Sequence, residues 1–292
     1  MDEVFSTGVL LKKIKKERKF FQLIRTRDKN IIEKWRKERN LNKREVYIYD
    51  IGGKYDWEKN EFDHHQIGGA DKRENGIEYS SAGLIWKHFG LDLVGEKYIW
   101  EKIDKEFVVA IDAIDNGQEI VEKKYGFKMF DLNDLLNLYF PKKRSENKMK
   151  KSFLRAVKLV QFILERKIKK AQKNLEDIQK LKEIYQNSKD KRFLVVEDEK
   201  ISTSLITDLF PDVLFVVKKQ KDDVWYIQTI RVKKDEFLRR KYLPKDWGGL
   251  EGKELDKVTG LDGGIFCHRA LFVASAKTKD VAVEMVKIVL KK

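Results

Sequence analysis

Asp63-His64-His65 follows Phe62 and stands thirteen residues after Asp50, which closes the apolar run Val46-Tyr-Ile-Tyr-Asp50. Aspartates at two strand ends with one or two imidazoles beside them are the donor set of a metal site. Oxygen donors with imidazole suit Mn²⁺ or Mg²⁺ and admit Zn²⁺, and no thiolate-rich site competes, because Cys267 is the only cysteine. Taken singly, a strand-end aspartate is more often a turn former or helix cap, and a histidine a satisfied polar residue. Here three such residues are adjacent in a chain with only four histidines, and a further acidic pair, Asp112 and Asp115, stands in Ile111-Asp-Ala-Ile-Asp-Asn-Gly117. The cluster therefore reads as a site.

These side chains can converge only if the elements before them end on one edge of a sheet. The pattern over the first 139 residues alternates: helix over Glu3 to Lys16, strand over Phe20 to Leu23, helix over Ile31 to Asn40, strand over Val46 to Asp50, helix over Ser80 to Phe89. Such alternation predicts an α/β fold with a doubly wound parallel sheet, whose sites lie at the carboxyl ends of the strands. Ser80 or Ser81 is placed to cap the last helix; beyond capping, its free N–H groups could hold a substrate phosphate. After a long helical stretch, strands are expected over Phe193 to Val196, Leu214 to Val217, Trp225 to Val232 and Gly264 to Ala274, then a helix over Lys277 to Lys291. This predicts a smaller α+β domain in which Gly263 and Gly264 allow close backbone approach and His268 follows at a strand position. The expected divisions are a catalytic domain (1–141), a basic helical connector (142–192) and a substrate-contacting domain (193–292).

Four segments carry a family resemblance: Asp50-Ile-Gly-Gly-Lys-Tyr-Asp56, Phe62-Asp-His-His-Gln66, Tyr79-Ser-Ser-Ala-Gly-Leu-Ile-Trp-Lys-His-Phe-Gly90 and Ala110-Ile-Asp-Ala-Ile-Asp-Asn-Gly117. With Trp247-Gly-Gly-Leu250, Thr259-Gly260 and Phe266-Cys-His268 they span most of the chain, which resembles the melanocyte-proliferating-gene family of DHH-type phosphoesterases. The resemblance implies a metal-dependent phosphodiesterase acting as a 3′ to 5′ exonuclease on short RNA. It implies Asp2, Asp50, His64 and Asp115 as ligands of Mn²⁺ or Mg²⁺, with Asp50 placed to bridge two ions. His65 and Asp63 are the catalytic candidates, His65 facing the phosphate or the attacking water. Gly263, Gly264 and His268 are implied as substrate contacts, although the chain continues Arg269-Ala-Leu-Phe where the family has a further glycine-rich stretch. Members usually open with a strand and a histidine-containing motif of which only Asp2 is matched here. A longer reading frame restoring that strand and two histidines is expected; an in-frame stop just upstream of Met1 would count against it. The alternative reading is a nucleic-acid-binding remnant of the same fold with an incomplete metal centre.

The net charge of +15 is concentrated. Between Lys142 and Arg192, 18 Lys or Arg stand against six Asp or Glu, and Phe153, Val157, Val160, Leu164, Ile168, Ala171, Leu175, Ile178, Leu181 and Tyr185 recur at helical spacing. The apolar stripe must bury against the core or a second copy, which makes a homodimer through this helix one expectation. Its lysines are either a solvated face or a track for phosphates. Cys267 and His268 lack the partners of a zinc site, and His88 reads as packing. The cysteine count and lack of a signal peptide predict a cytoplasmic protein, and no apolar run is long enough for a bilayer.

Overall fold

The computed structural model describes residues 1–41, 44–119, 122, 126, 130–141 and 145–291. The chain divides into two compact units, 1–172 and 173–292. The division falls inside the longest helix, and residues 142–144, where the expected connector begins, lie outside the described residues.

The first unit is mostly helical: α1 (Asp2–Lys16), α2 (Lys29–Asn40), α3 (Ser81–Val94), α4 (Lys97–Ile103), α5 (Val109–Asp115), α6 (Leu132–Asn137) and the first part of α7 (Glu146–Asn187). A π-helical turn, Asp104–Val108, joins α4 to α5. Three two-residue strands, β1 (Ile48–Tyr49), β2 (Tyr55–Asp56) and β3 (Glu61–Phe62), form a sheet in the order β1-β3-β2. β1 runs parallel to β3, and β2 antiparallel. The α/β class is thus met, but among the described residues of this unit the expected doubly wound parallel sheet is reduced to one parallel pair. The expected strand over Phe20 to Leu23 is a second correction. That segment makes no backbone ladder, and Phe20 is fully exposed. A groove of about 1820 Å³ is lined by this segment and by β1, and among the described residues no strand pairs with the segment.

The core of this unit forms where α1 lies on α3. Phe5 sits edge-on to Trp86 and Phe107 at 6.2 and 5.5 Å, amid Val9, Leu84, Ile85 and Ile111, all essentially inaccessible. The stripe of α7 joins it through Phe153, Val157, Val160, Leu164 and Ala171. This meets the expectation that the stripe is buried, and it buries within the chain itself. α2, capped by Asp28, is fixed to the sheet by Arg36 and Arg39, which clamp the buried Glu61 carboxylate.

The second unit holds a five-stranded sheet in the order β4-β5-β6-β8-β7, from β4 (Phe193–Val196), β5 (Phe215–Lys219), β6 (Trp225–Thr229), β7 (Gly264–Cys267) and β8 (Val273–Ala276). Only β4 and β5 are parallel. Short α8 (Ile206–Leu209) follows β4, α9 (Gly252–Thr259) precedes β7, and α10 (Lys279–Lys291) closes the chain. α10 lays Ala282, Met285, Val286 and Val289 on the sheet, at the i, i+3, i+4, i+7 spacing of an amphipathic helix. The expected single strand from Gly264 to Ala274 is instead a hairpin: the chain turns at His268–Leu271 and returns as β8. No helix among the described residues is long and apolar enough to cross a membrane.

Candidate metal centre

Four side chains from four elements meet at one point: Asp2 from the first turn of α1, Asp50 after β1, His64 after β3 and Asp115 at the end of α5. His64 Nε2 lies 3.1 Å from Asp115 Oδ2, 3.7 Å from Asp50 Oδ1 and 3.7 Å from Asp2 Oδ2. Asp50 is held there by its backbone. Its φ of +59° is a left-handed conformation that aspartate tolerates better than most residues, and its N–H donates to Ser81 Oγ at 2.9 Å.

The tautomer of His64 follows from its neighbour. Asn116 Nδ2 donates to the carbonyls of Glu78 and Asp112, which turns Asn116 Oδ1 toward His64 Nδ1 at 3.2 Å. In the neutral ring Nδ1 therefore carries the hydrogen, which leaves Nε2 free to coordinate a cation shared with the three carboxylates. Nε2 is buried and has no hydrogen-bond partner among the described residues; its approach to Asp115 lacks hydrogen-bond geometry. A buried, unsatisfied nitrogen facing three carboxylate oxygens is what a divalent cation would satisfy, so the donor set fits a metal. Asn116→Ala is expected to weaken Mn²⁺ affinity by about 10- to 100-fold by releasing the ring orientation, measured by isothermal titration calorimetry. An unchanged dissociation constant would refute this role.

His65 belongs to an overlapping donor set with Asp50 and His64. Its Nδ1 lies 2.7 Å from Asp63 Oδ1, and its exposed ring leaves Nε2 accessible. Asp63 is engaged by its neighbours. Its oxygens are taken by the N–H groups of Gly53, His64 and His65 and by the His65 ring, so it positions His65 and stands outside both donor sets. Burial acts to raise its pKa, but those hydrogen bonds outweigh it and hold the carboxyl below the usual range.

Ser80 and Ser81 are placed otherwise than expected. Both are fully buried, and the amino end of α3 is already capped by two carboxylates. Asp112 Oδ1 accepts from the N–H groups of Ser80 and Gly83 at 3.1 and 3.0 Å, and Asp2 accepts from those of Ser81 and Ala82. The Ser80 hydroxyl donates to Asp112, and the Ser81 hydroxyl to the carbonyl of Phe62. No donor at this terminus is left for a phosphate. Gly83 is required by the same arrangement, since a Cβ there would stand 2.2 Å from Asp112 Oδ2. Asp112 in turn rests on Arg73, whose Nε lies 2.7 Å from Oδ2 and whose other nitrogens grip Asp104. Arg73, a single arginine in a loop, gave no sequence signal. Asn116 did, as the middle of Asp-Asn-Gly.

Gly263, Gly264 and His268 lie in the second unit. Gly264 is needed for packing: its N–H donates to Asp256 Oδ1 at 2.7 Å, and a Cβ would press on Asp256 and Leu255 at 3.0 Å. His268 closes the β7–β8 turn by accepting the Ala270 N–H on Nδ1 at 3.0 Å, and its ring lies against Phe272.

Electrostatics at the centre favour protons when no cation is bound. Burial, then Asp115 and Asp50, push the Asp2 pKa up to about 8. Burial alone would lower that of His64, but Asp115, Asp50 and Asp2 more than reverse this and take it up to about 10. Both folded values exceed the ordinary ones, 3.8 and 6.5, so the folded state binds more protons than the unfolded chain as pH rises from each lower value to each upper one. In EDTA, the melting temperature is therefore expected to lose the contribution of these two groups from about pH 4 to 10, that of Asp2 between 3.8 and 8 and that of His64 between 6.5 and 10, while the rise produced by Mn²⁺ grows with pH because the ion displaces those protons. Thermal melts across that range check it; a flat EDTA series would contradict it.

A family model described as an uncharacterised protein family, UPF0160, with the short name MYG1_exonuc, matches residues 1–290. The chain belongs to this family. It is similar to the MYG1 protein of Dictyostelium discoideum, with 25% identity over 90% of this chain and 86% of that protein. The MYG1 exonuclease of Homo sapiens is 26% identical over 83% of this chain and 73% of its own length. The MYG1 protein of Chlamydia trachomatis is 26% identical over 99% and 93%. No solved structure gives a significant match. The family assignment agrees with the resemblance read from the four motifs, and three of these deliver Asp50, His64 and Asp115 to the centre.

Proposed function

We propose that this family member is a Mn²⁺- or Mg²⁺-dependent phosphodiesterase that removes nucleotides from the 3′ end of short RNA. The observation that carries the reading is the buried, unpartnered His64 Nε2 facing the carboxylates of Asp2, Asp50 and Asp115. Similarity to proteins named MYG1 exonuclease supports the choice of a phosphodiester over other bonds.

Asp2, Asp50, His64 and Asp115 would hold the cation, which when bound supplies charge to polarise a phosphoryl oxygen and lowers the pKa of water. The remaining work falls to the protein. Asn116 fixes the tautomer of His64, and the Asp2 carboxylate is aimed by the amino end of α3. Asp63 holds His65 Nδ1, so the exposed Nε2 is the position that exchanges a proton with water or with the leaving oxygen. Asp63→Ala frees that ring without removing a ligand. It should lower kcat by about 10²-fold, the scale of a general acid–base contribution, while Mn²⁺ affinity holds.

The test is incubation with 5′-labelled short RNA and Mn²⁺, expecting a ladder shortened from the 3′ end that EDTA abolishes. Failure to cut RNA, DNA or bis(p-nitrophenyl) phosphate with either metal would defeat the proposal. RNA binding without cleavage would favour the alternative, a nucleic-acid-binding protein on the same fold.

A further inference from the structure

The second unit carries a basic, aromatic ribbon that the metal centre does not use. Residues 230–240 fold back on themselves, with Arg240 N–H donating to the Ile230 carbonyl at 2.8 Å and Val232 N–H to the Leu238 carbonyl at 2.9 Å. The isolated bridge between Arg231 and Arg239 sets two guanidinium-bearing residues directly across from each other, and neither has a carboxylate partner among the described residues. Like charges opposite one another cost stability in the free protein, and an anion laid between them removes that cost. Over 231–242 the chain carries six Lys or Arg against two Asp or Glu.

Apolar surface is exposed on the same ribbon. Phe237 is 85% accessible and Leu238 55%. The Arg231 guanidinium lies over the Phe237 ring at 5.7 Å, and that of Arg239 over Phe272 at 5.2 Å. Arg231 also donates to the Lys234 carbonyl at 2.7 Å and Arg239 to that of Thr229 at 3.1 Å, which holds both guanidinia in place while leaving their charge without a carboxylate. An exposed ring beside cations without a carboxylate partner combines the two components of a surface for single-stranded nucleic acid: a base stacks on the ring and phosphates lie along the positive charge.

We propose that this ribbon is a docking surface for single-stranded RNA, Phe237 stacking a base while Arg231 and Arg239 take the adjoining phosphates. The proposal rests on the preceding reading of RNA as the substrate and adds a grip on the strand supplied by the second unit. It leaves the hydrolytic step unchanged.

The experiment uses the full chain and 5′-fluorescein-labelled dodecauridylate in EDTA, so that the strand is held but not cut, with fluorescence anisotropy read across a NaCl series. Phe237→Ala is expected to weaken binding by about tenfold, the scale of one lost base stack. Because Phe237 is so exposed, this variant should melt with the wild type. Arg231→Ala should flatten the slope of log affinity against log salt by about 0.7, the value for one phosphate contact on a single strand. Wild-type protein that fails to bind the oligonucleotide at low salt would overturn the proposal, as would Phe237→Ala binding like wild type. An acidic peptide as the true partner would appear as the first of these outcomes. The two readings fail separately. Binding that depends on Phe237 without any cleavage in Mn²⁺ keeps this surface and defeats the nuclease, whereas cleavage indifferent to Phe237 does the reverse.

Discussion

Replacing His64 with alanine is expected to abolish high-affinity Mn²⁺ binding and to lower kcat/KM on short RNA by at least about a thousandfold. The expectation follows from position: His64 Nε2 is the nitrogen that faces Asp2, Asp50 and Asp115 together, 3.1 Å from the nearest oxygen. Stabilisation of transition-state charge by a bound cation is worth several kcal/mol, and each 1.36 kcal/mol is a factor of ten in rate. His64→Gln, which keeps a polar side chain of similar reach but replaces the imidazole, should recover little. Calorimetry with Mn²⁺ and a cleavage assay on the same preparations give the answer. Retained Mn²⁺ affinity in His64→Ala would show that the carboxylates alone form the site and would sink the assignment.

The second large effect concerns stability. Arg73→Met should destabilise the chain by about 3–5 kcal/mol, because it leaves the Asp112 carboxylate, fully buried and tied to the amino end of α3, without its cation. For a unit of this size that corresponds to a fall of about 10 °C or more in melting temperature. Burial already lifts the Asp112 pKa against the pull of Arg73, so removing the arginine lifts it further, and part of the loss should be recovered as pH is lowered and the carboxyl protonates. The double variant Arg73→Met/Asp112→Asn tests the cause. An amide oxygen can still accept from the Ser80 and Gly83 N–H groups, so the double variant should be more stable than Arg73→Met alone. If both variants melt together, the stranded charge is not the reason. The consequence reaches the metal centre, because the Ser80 hydroxyl contacts both Asp112 and Asp2.

The long helix was legible because its apolar residues recur every three or four positions over many turns, a signal strong enough to survive a highly charged background. The short strands were less so. Val46 to Asp50 reads as five residues of strand, yet only Ile48 and Tyr49 pair, since β3 offers only two partners. At Gly264 the apolar run continues through the turn, and the hairpin is fixed by cross-strand pairing rather than by local composition.

The residue types of the motifs pointed to a hard-metal site, because such chemistry needs carboxylates and imidazole and few other side chains supply them, and the family resemblance implied Asp2, Asp50, His64 and Asp115 as its ligands, the four that the fold brings together. Local sequence could not assign the remaining polar groups, because their partners lie far along the chain. The sequence offers Asp63 as a catalytic candidate, and only the fold shows Gly53 and His65 occupying its oxygens, so that it would act through His65. Ser80 and Ser81 look like a phosphate seat until Asp2 and Asp112, one some eighty residues before and the other some thirty after, are found in it. A helix terminus advertises unsatisfied N–H groups in the sequence, but what satisfies them is decided only when the folded chain brings an acceptor within 3 Å.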